Sequence, residues 1–218
     1  MIIIRHRRNT REELSEISTG HGAEIDIRSQ GNDLVLHHEP YETGTLFEAW
    51  LEDYRHQTLI LNVKEEGLED RVLELMERHS IDDLFFLDQS FPFLIKTART
   101  GESRCAVRVS EFETIDTALS LAGKVQWVWV DCFSRFPLTS QQTNTLQKKG
   151  FKLCFVSPEL QGSLELSHIK KFKQDLIKSW ISIGSNNFNL TEITISSNLS
   201  ICVISTSTPN PEKCSSDI

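Results

Sequence analysis

The stretch GAEIDIRSQGNDLVLHHEP, residues 22–40, places two carboxylates two positions apart in an apolar run and follows them, after a short turn, with adjacent histidines. In a β-strand, residues i and i+2 face the same side of the sheet. Glu24 and Asp26 are therefore expected to share one face, and Ile25 and Ile27 the opposite, apolar face. Such a strand would turn its two acids toward one site and its two isoleucines toward the layer between the strands and the helices.

The composition limits the classes of protein that this chain can belong to. It has 218 residues, of which 39% are hydrophobic and 25% charged, and a net charge of -8. This is enough apolar material for one sizeable core. The negative charge argues against nucleic acid or an anionic membrane as a partner, and no apolar run approaches the roughly 18 residues of a membrane span. Five widely spaced cysteines without a C-x-x-C pair indicate a reducing cytoplasm rather than a disulfide framework.

Short apolar runs alternate with helical patterns along most of the chain. Strands are predicted at residues 1–5, 23–28, 58–64, 83–88, 104–109, 125–131, 151–156 and, with a weaker signal, 199–205. Helices are predicted at residues 45–54, 68–79, 91–100, 114–122, 139–149 and 166–180. Repeated strand-then-helix units predict a parallel sheet with helical crossovers. Eight strands would close it as an α/β fold of the (β/α)8 TIM-barrel type, with room for an irregular last βα unit.

Polar residues at the carboxyl ends of the predicted strands favour the closed barrel over the alternative, a doubly wound open sheet. The residues at these positions are His6, Glu24, Asp26, Asn62, Lys64, Asp88, Arg108, Glu111, Asp131, Ser157 and Glu159. A closed barrel brings all such ends to one mouth, whereas an open sheet uses only those beside its switch point. We predict one domain over residues 1–206 and a disordered polar tail over residues 207–218.

Three segments carry a resemblance to a known family. IIIRHRRNT (residues 2–10), the opening stretch and LILNVKEEGL (residues 59–68) resemble the glycerophosphodiester phosphodiesterase branch of the phospholipase C-like TIM barrels. The pattern of that family runs His-Arg-Gly, Glu-x-Asp, His-Asp and Glu-x-Lys. The resemblance is close over residues 1–65 and rests on strand order beyond them. Later strand ends also resemble a bacterial subgroup often encoded beside surface-polysaccharide genes.

The resemblance implies a cytoplasmic, metal-dependent phosphodiesterase that acts on a glycerophosphodiester-like or polysaccharide-linked diester. Two histidines would act as acid and base, two cations would hold the phosphate, and hard oxygen ligands would bind Mg²⁺ or Ca²⁺. The residues at these positions are His6 and His38 for catalysis, Arg7 and Lys64 for the phosphate, and Glu24, Asp26 and Asn62 for the metal. Asp131 and Glu159, which interrupt apolar segments, are candidates for the substrate pocket.

Departures from the family pattern leave a second function open. Arg8 replaces the glycine of the first motif, Glu39 replaces an aspartate, and Asn62 stands where many members have a third metal-binding glutamate. Each site residue alone would also suit a solvated strand end or a structural histidine. The alternative is a barrel of the same descent that binds a phosphorylated ligand or partner without turnover. In either function His38 is expected to face the site and His37 to face away.

Overall fold

The computed structural model describes residues 2–162, 167, 170–172, 174–176 and 201–205. The strands in this part of the chain are β1 (Ile2–Arg5), β2 (Gly22–Gln30), β3 (Asp33–Leu36), β4 (Thr45–Leu46), β5 (Leu59–Val63), β6 (Leu84–Leu87), β7 (Ala106–Val109), β8 (Trp127–Val130), β9 (Lys152–Val156) and β10 (Ile201–Ser205). The α-helices are α1 (Arg11–Ser15), α2 (Phe47–Leu51), α3 (Glu69–Arg78), α4 (Phe91–Arg99), α5 (Ile115–Ser120) and α6 (Ser140–Lys148), and a 3-10 helix covers Pro158–Gln161.

The strands form one mixed sheet with two parallel runs. In the first run β1, β2, β5 and β6 are neighbours in that order, and in the second run β7, β8 and β9 are neighbours. Strand β10 lies between β1 and β9 and is antiparallel to both. The short strands β3 and β4 extend the sheet from β2 in antiparallel pairs. Between β6 and β7 the pairing is an isolated parallel bridge that joins Phe86 to Cys105.

The prediction of a closed (β/α)8 barrel is therefore wrong. The fold is α/β, but its sheet is mixed, with an antiparallel β10 and a break between β6 and β7. The position of β10 was predicted, but a two-residue period reports the face of a strand and not its direction. The β3–β4 pairing and α1 were not predicted. The expected tail at residues 207–218 and most of the expected helix at 166–180 lie outside the described residues, so the single domain stays a prediction.

The two faces of the sheet bury different clusters. The helix-covered face holds the larger core, to which β2 contributes Ile25 and Ile27, as predicted from their alternation with the acids. The opposite face, called the inner face below, holds a smaller cluster in which Phe85 stacks on Trp127 with ring centroids 4.3 Å apart. Trp129 is buried in the same cluster, so both tryptophans pack in the core.

Gly22 brings β1, β2 and β5 close together below the acids of β2. A Cβ atom at this position would lie 2.2 Å from Ile4 Cδ1 and 2.3 Å from the Thr58 carbonyl oxygen, so a side chain has no room. On the inner face, β2 therefore begins with a closely packed apolar position at Gly22 and carries carboxylate side chains from Glu24 onward. This order places the polar residues at the carboxyl-terminal edge of the parallel strands.

Local sequence signals account for the helices that cover the sheet. Thr10 and Glu13 form a reciprocal capping box at the start of α1, and Thr139 and Gln142 form one at the start of α6. Val72, on the apolar face of α3, is buried against the larger core. Within the described residues, no helix combines the length and the apolar character needed to cross a bilayer.

Candidate functional site

The turn that follows β1 forms the first part of the site. Arg7 lies in the left-handed backbone region with a φ of 52°, which is unfavourable for a residue with a Cβ atom. Its amide donates a hydrogen bond of 2.8 Å to Glu24 Oε2, and the Arg8 amide donates one of 2.9 Å to the Glu24 carbonyl oxygen. These bonds to β2 hold the turn and place His6 and Arg7 at the edge where both strands end.

The positive φ of this turn belongs to Arg7 and not to Arg8. The Arg8 guanidinium turns toward α1, where its Nη1 lies 3.8 Å from Glu16 Oε2. Glu13 closes the capping box of α1. Glu13 and Glu16 are therefore both engaged in contacts at α1.

Two buried carboxylates project from the inner face of β2. Glu24 and Asp26 are both 0% exposed. Asn62 Nδ2 donates to Glu24 Oε1 at 2.8 Å, and Lys64 Nζ lies 3.1 Å from Asp26 Oδ1. Burial and, second, the Asp26 carboxylate raise the pKa of Glu24 to about 7, because water does not reach the pair to hydrate its charge. The pair therefore attracts a proton or a cation.

Asn9 is a site residue that the sequence analysis missed. Its Nδ2 donates a hydrogen bond of 2.8 Å to Asp26 Oδ2, and its Oδ1 accepts one of 2.8 Å from the Asp26 amide. This double contact sets the orientation of the Asp26 carboxylate. The signal in the sequence was weak, since it consisted only of an amide three positions after His6.

His6 approaches the carboxylate pair from β1. Its Nε2 lies 3.5 Å from Glu24 Oε2. Burial and, second, the charge of Arg7 lower the pKa of His6 to about 4. The ring is therefore neutral at neutral pH and able to accept a proton.

His38 approaches the same place from the chain after β3, in a different environment. Its Nε2 lies 2.6 Å from Arg7 Nη2, and its Nδ1 lies 2.6 Å from Glu39 Oε1. Arg28 donates hydrogen bonds of 3.2 and 2.8 Å to the His38 carbonyl oxygen and so fixes this segment. The neighbouring His37 turns back on the main chain of Glu39, with its Nδ1 3.0 Å from that carbonyl oxygen. His38 and not His37 therefore meets Arg7.

A chain of ion pairs continues the site across β6, β7 and β8. Lys64 Nζ lies 3.7 Å from Asp88 Oδ2, Asp88 pairs with Arg108, and Arg108 Nη1 lies 2.8 Å from Asp131 Oδ2. Gln161 Nε2 donates to Asp131 Oδ1 at 2.8 Å. Burial raises the pKa of Asp131 although Arg108 opposes the shift. These contacts join the strand ends of both parallel runs in one polar network.

The structure thus brings together His6, Arg7, Glu24, Asp26, His38, Asn62 and Lys64, and it joins Asp131 to them through Arg108 and Asp88. The side chain of Glu159 lies outside the described residues. Gln161, which holds Asp131, had no signal in the sequence beyond its position two residues after Glu159. Arg108 was a strand-end polar residue whose ion pairs only the fold could reveal.

The donor atoms of the carboxylate pair fit a hard divalent cation by their chemistry. Glu24 and Asp26 supply buried carboxylate oxygens, and the buried Asn62 Oδ1 has no hydrogen-bond partner among the described residues. Oxygen ligands of this kind suit Mg²⁺ or Ca²⁺. Within the same part of the chain, no group of three or more His, Cys, Asp and Glu side chains is arranged to hold a metal. Further ligands would have to come from Asn62, from water or from a substrate.

Neither a scan against models of protein families nor a search of curated protein sequences finds a match.

Proposed function

We propose that the protein is a metal-dependent phosphodiesterase that cleaves a glycerophosphodiester-like or polysaccharide-linked diester, as its resemblance to the glycerophosphodiester phosphodiesterases implies. One observation carries the proposal: His6 contacts one fully buried pair of carboxylates, Arg7 links His38 to the same pair, and Lys64 lies beside it. A diester anion needs cationic contacts at its oxygens, and its cleavage needs one proton acceptor and one proton donor.

The different environments of the histidines support a division of roles. The neutral His6 would accept the proton of the attacking hydroxyl, which belongs to water or to a neighbouring group of the substrate. The new phosphorus–oxygen bond forms as the bond to the leaving alcohol oxygen breaks. In the structure His38 Nε2 accepts from Arg7, so His38, held at Nδ1 by Glu39 at 2.6 Å, would take up a proton from water at Nε2 as the diester draws Arg7 away, and would then give that proton to the leaving oxygen. The products are an alcohol and a phosphomonoester, or a cyclic phosphate when a substrate hydroxyl attacks.

Arg7 and Lys64 would hold the diester between the two rings. Arg7 Nη2 lies 2.6 Å from His38 Nε2, so a diester oxygen bound to the guanidinium would lie within reach of the donor histidine. Lys64 Nζ lies 3.1 Å from Asp26 and can contact a second oxygen from the side of β5. The two cations then orient the anion by charge and leave the alcohol groups to other parts of the site.

Glu24, Asp26 and Asn62 would hold the metal, Mg²⁺ or Ca²⁺. A bound divalent ion supplies electrostatic stabilisation of the charge that builds on the phosphate oxygens. The charge balance supports this assignment: the network contains the carboxylates Glu24, Asp26, Asp88 and Asp131 against the cations Arg7, Lys64 and Arg108. When all are ionised, this network carries one excess negative charge, which a divalent cation together with a diester monoanion would cancel.

A protein that binds a phosphorylated ligand without turnover remains the second candidate. The observation that favours it is the contact between Arg7 and His38 Nε2, because a guanidinium there occupies the nitrogen that must deliver the proton. The substitutions at Arg8, Glu39 and Asn62 relative to the family pattern point the same way.

The deciding experiment is a panel of diesters assayed with Mg²⁺, Ca²⁺, Mn²⁺ or EDTA from about pH 5 to 9, reading released phosphomonoester and cyclic phosphate. Metal-dependent release from at least one diester, lost in His6→Ala, is the expected result. Binding of diesters by calorimetry without turnover under any of these conditions would instead establish the second candidate.

We further propose that the protein acts in the cytoplasm on small or polysaccharide-linked diesters and not on nucleic acid. Cys105, Cys132 and Cys154 are free and buried, as suits a reducing compartment. The net charge of -8 disfavours a polyanionic partner.

A further inference from the structure

A cleft opens where the sheet is interrupted between β6 and β7. Its volume is about 560 Å³, in the range of small-molecule sites. It is bounded by the ends of β6 and β7, the start of α4 and the segment that leads into α5. Beyond the bridge between Phe86 and Cys105, no register pair joins the two strands within the described residues. Strand edges that face such a gap offer both N–H donors and carbonyl acceptors.

The cleft begins at the proposed phosphate site. Asp88 and Arg108 line it, and Asp88 lies 3.7 Å from Lys64. Arg108 is anchored on its other side by the fully buried Asp131 at 2.8 Å. A diester held at Lys64 would therefore have one alcohol substituent directed toward Asp88 and Arg108.

The walls of the cleft combine exposed aromatic rings with charged groups. Phe91 is 51% exposed and Phe112 is 81% exposed. The loop that carries Phe112 is ordered by Ser110, whose Oγ donates to Glu113 Oε2 at 2.8 Å and accepts from the Phe112 amide at 3.1 Å. The loop is thus ordered, and the largely exposed Phe112 ring also packs edge-on against Phe133 with ring centroids 5.7 Å apart, which lowers the entropic cost of binding a ligand against it.

This mixture of groups selects among the possible alcohols. An alkyl chain would remove the carboxylates of Asp88 and Glu113 from water without replacing their hydrogen bonds, which is unfavourable. Glycerol would fill only a small part of the volume and would leave the aromatic rings exposed. A sugar ring has an apolar C–H face that can lie on an aromatic ring and hydroxyl edges that both donate and accept, as carboxylates, guanidinium and open strand edges require.

We propose that this cleft is the subsite for the alcohol moiety of the diester and that this alcohol is a sugar. The proposal rests on the proposed function of the phosphate site. It assigns recognition of the sugar to Phe112, Phe91, Asp88 and Arg108 and predicts a preference for sugar diesters over diesters of small polyols.

The test compares two diesters that share one glycerol and differ in the second alcohol, which is glucose linked through its C6 oxygen in one and glycerol in the other. We expect the wild-type protein to prefer the glucose diester by at least about 10-fold in kcat/KM, and Phe112→Ala to reduce this ratio by about 10-fold through KM. Tyr41→Ala is the matched control, since Tyr41 is an exposed aromatic residue outside the cleft. It should leave the ratio unchanged.

An equal kcat/KM for the two diesters, or a ratio that Phe112→Ala does not change, would overturn the proposal while leaving the phosphodiesterase function intact. If the wild-type protein cleaves neither diester, calorimetry decides the subsite, and the phosphodiesterase function rests on the wider panel of diesters. The glucose diester should then bind more tightly than the glycerol diester in the wild-type protein but not in Phe112→Ala, and equal affinities in the wild-type protein would reject the subsite.

Discussion

The two sides of the sheet edge hold their charges in different ways. On the β1–β2–β5 side, Glu24 and Asp26 are fully buried and are oriented by amide and backbone donors. On the β6–β7–β8 side, the side chains of Asp88 and Arg108 are 29% and 34% exposed and pair with each other. Lys64 contacts both sides. A buried pair of like charges shifts proton affinities, whereas partly exposed opposite charges mainly orient one another, and on the second side the buried acid, Asp131, already has the cation Arg108 at 2.8 Å. We therefore assign chemistry to the first side and recognition to the second.

The largest effect is expected at the buried pair. Glu24→Gln should abolish metal-dependent turnover, because it removes one of the two ligand charges. Asn62 can turn its side-chain amide so that its Oδ1 accepts from the new amide, so the fold has a way to accommodate the change. Glu66→Gln, at an exposed acid, is the control and should retain activity.

The stability of Glu24→Gln separates a functional acid from a structural one. The pKa of Glu24 in the folded protein, about 7, is above its ordinary value of 4.5, so the wild-type acid reduces stability as the pH rises between these values. At pH 8 in EDTA, the urea midpoint of the variant should therefore be equal to that of the wild type or higher. The free energy of unfolding should increase by no more than about 1–3 kcal/mol. A marked loss of stability would show that the acid is structural.

The next largest effects are expected from substitution of the two histidines. His6→Ala and His38→Ala should each reduce kcat by about 10²- to 10⁴-fold, and the double variant should lose less than the product of the two. Diester binding by calorimetry should survive in both single variants, since Arg7 and Lys64 remain. Losses that multiply fully would contradict a shared step.

The pH profile tests the role of His6 as the proton acceptor. Turnover should fall at low pH as His6 becomes protonated, and burial, which lowers its pKa to about 4, places this limb well below an ordinary histidine titration. A low-pH limb at the ordinary histidine value would contradict this role.

A smaller effect, on stability, is expected on the recognition side. Arg108→Ala leaves Asp131 buried without its cation and should cost about 1–3 kcal/mol at neutral pH. The pKa of Asp131 is already raised by burial, and it rises further when Arg108 is removed. The loss of stability should therefore appear at pH values above the ordinary pKa of an aspartate and should vanish in acid. Adding Asp131→Asn should restore most of the stability in urea titrations. No restoration would mean that Arg108 acts by packing alone.

The smallest effect is expected at Glu111, which holds the loop after β8. Glu111 accepts hydrogen bonds from the amides of Phe133, Ser134 and Arg135 at 3.1, 2.6 and 2.6 Å. Partial burial raises the pKa of Glu111, but these three donors outweigh burial and hold the pKa below its usual value. Its stabilisation is therefore present at neutral pH and is lost as the pH falls through the lowered pKa.

Glu111→Gln should cost no more than about 1 kcal/mol at neutral pH and nothing in acid, because the site is well exposed to solvent. Urea titrations at the two pH values measure this difference. Glu42→Gln, in an exposed turn after β3, is the control. A cost for Glu111→Gln that does not change with pH would show that charge has no part in its role.

Much of the β1–β2–β5 side could be predicted because its information is local. Alternation in β2 separates Glu24 and Asp26 from Ile25 and Ile27, and the same period places Lys64 two residues after Asn62 on the inner face of β5. The recognition side could not be predicted in this way. The pairing of Arg108 with Asp131 depends on which strands are neighbours, and the cleft exists because β6 and β7 separate after one bridge.

The sequence by itself determined where most strands and helices lie, which face of each strand is apolar, and that acids, imidazoles and cations follow the strands. These properties depend on residue spacing along a short segment, which the two-residue period of a strand or the turn of a helix reports directly. The tertiary structure alone decided that β10 is antiparallel, that the sheet is interrupted between β6 and β7, and that Asn9 and Gln161 orient the acids. These properties depend on contacts between segments far apart in the chain, whose free energy is a sum over the whole core and leaves no periodic signal in any one segment.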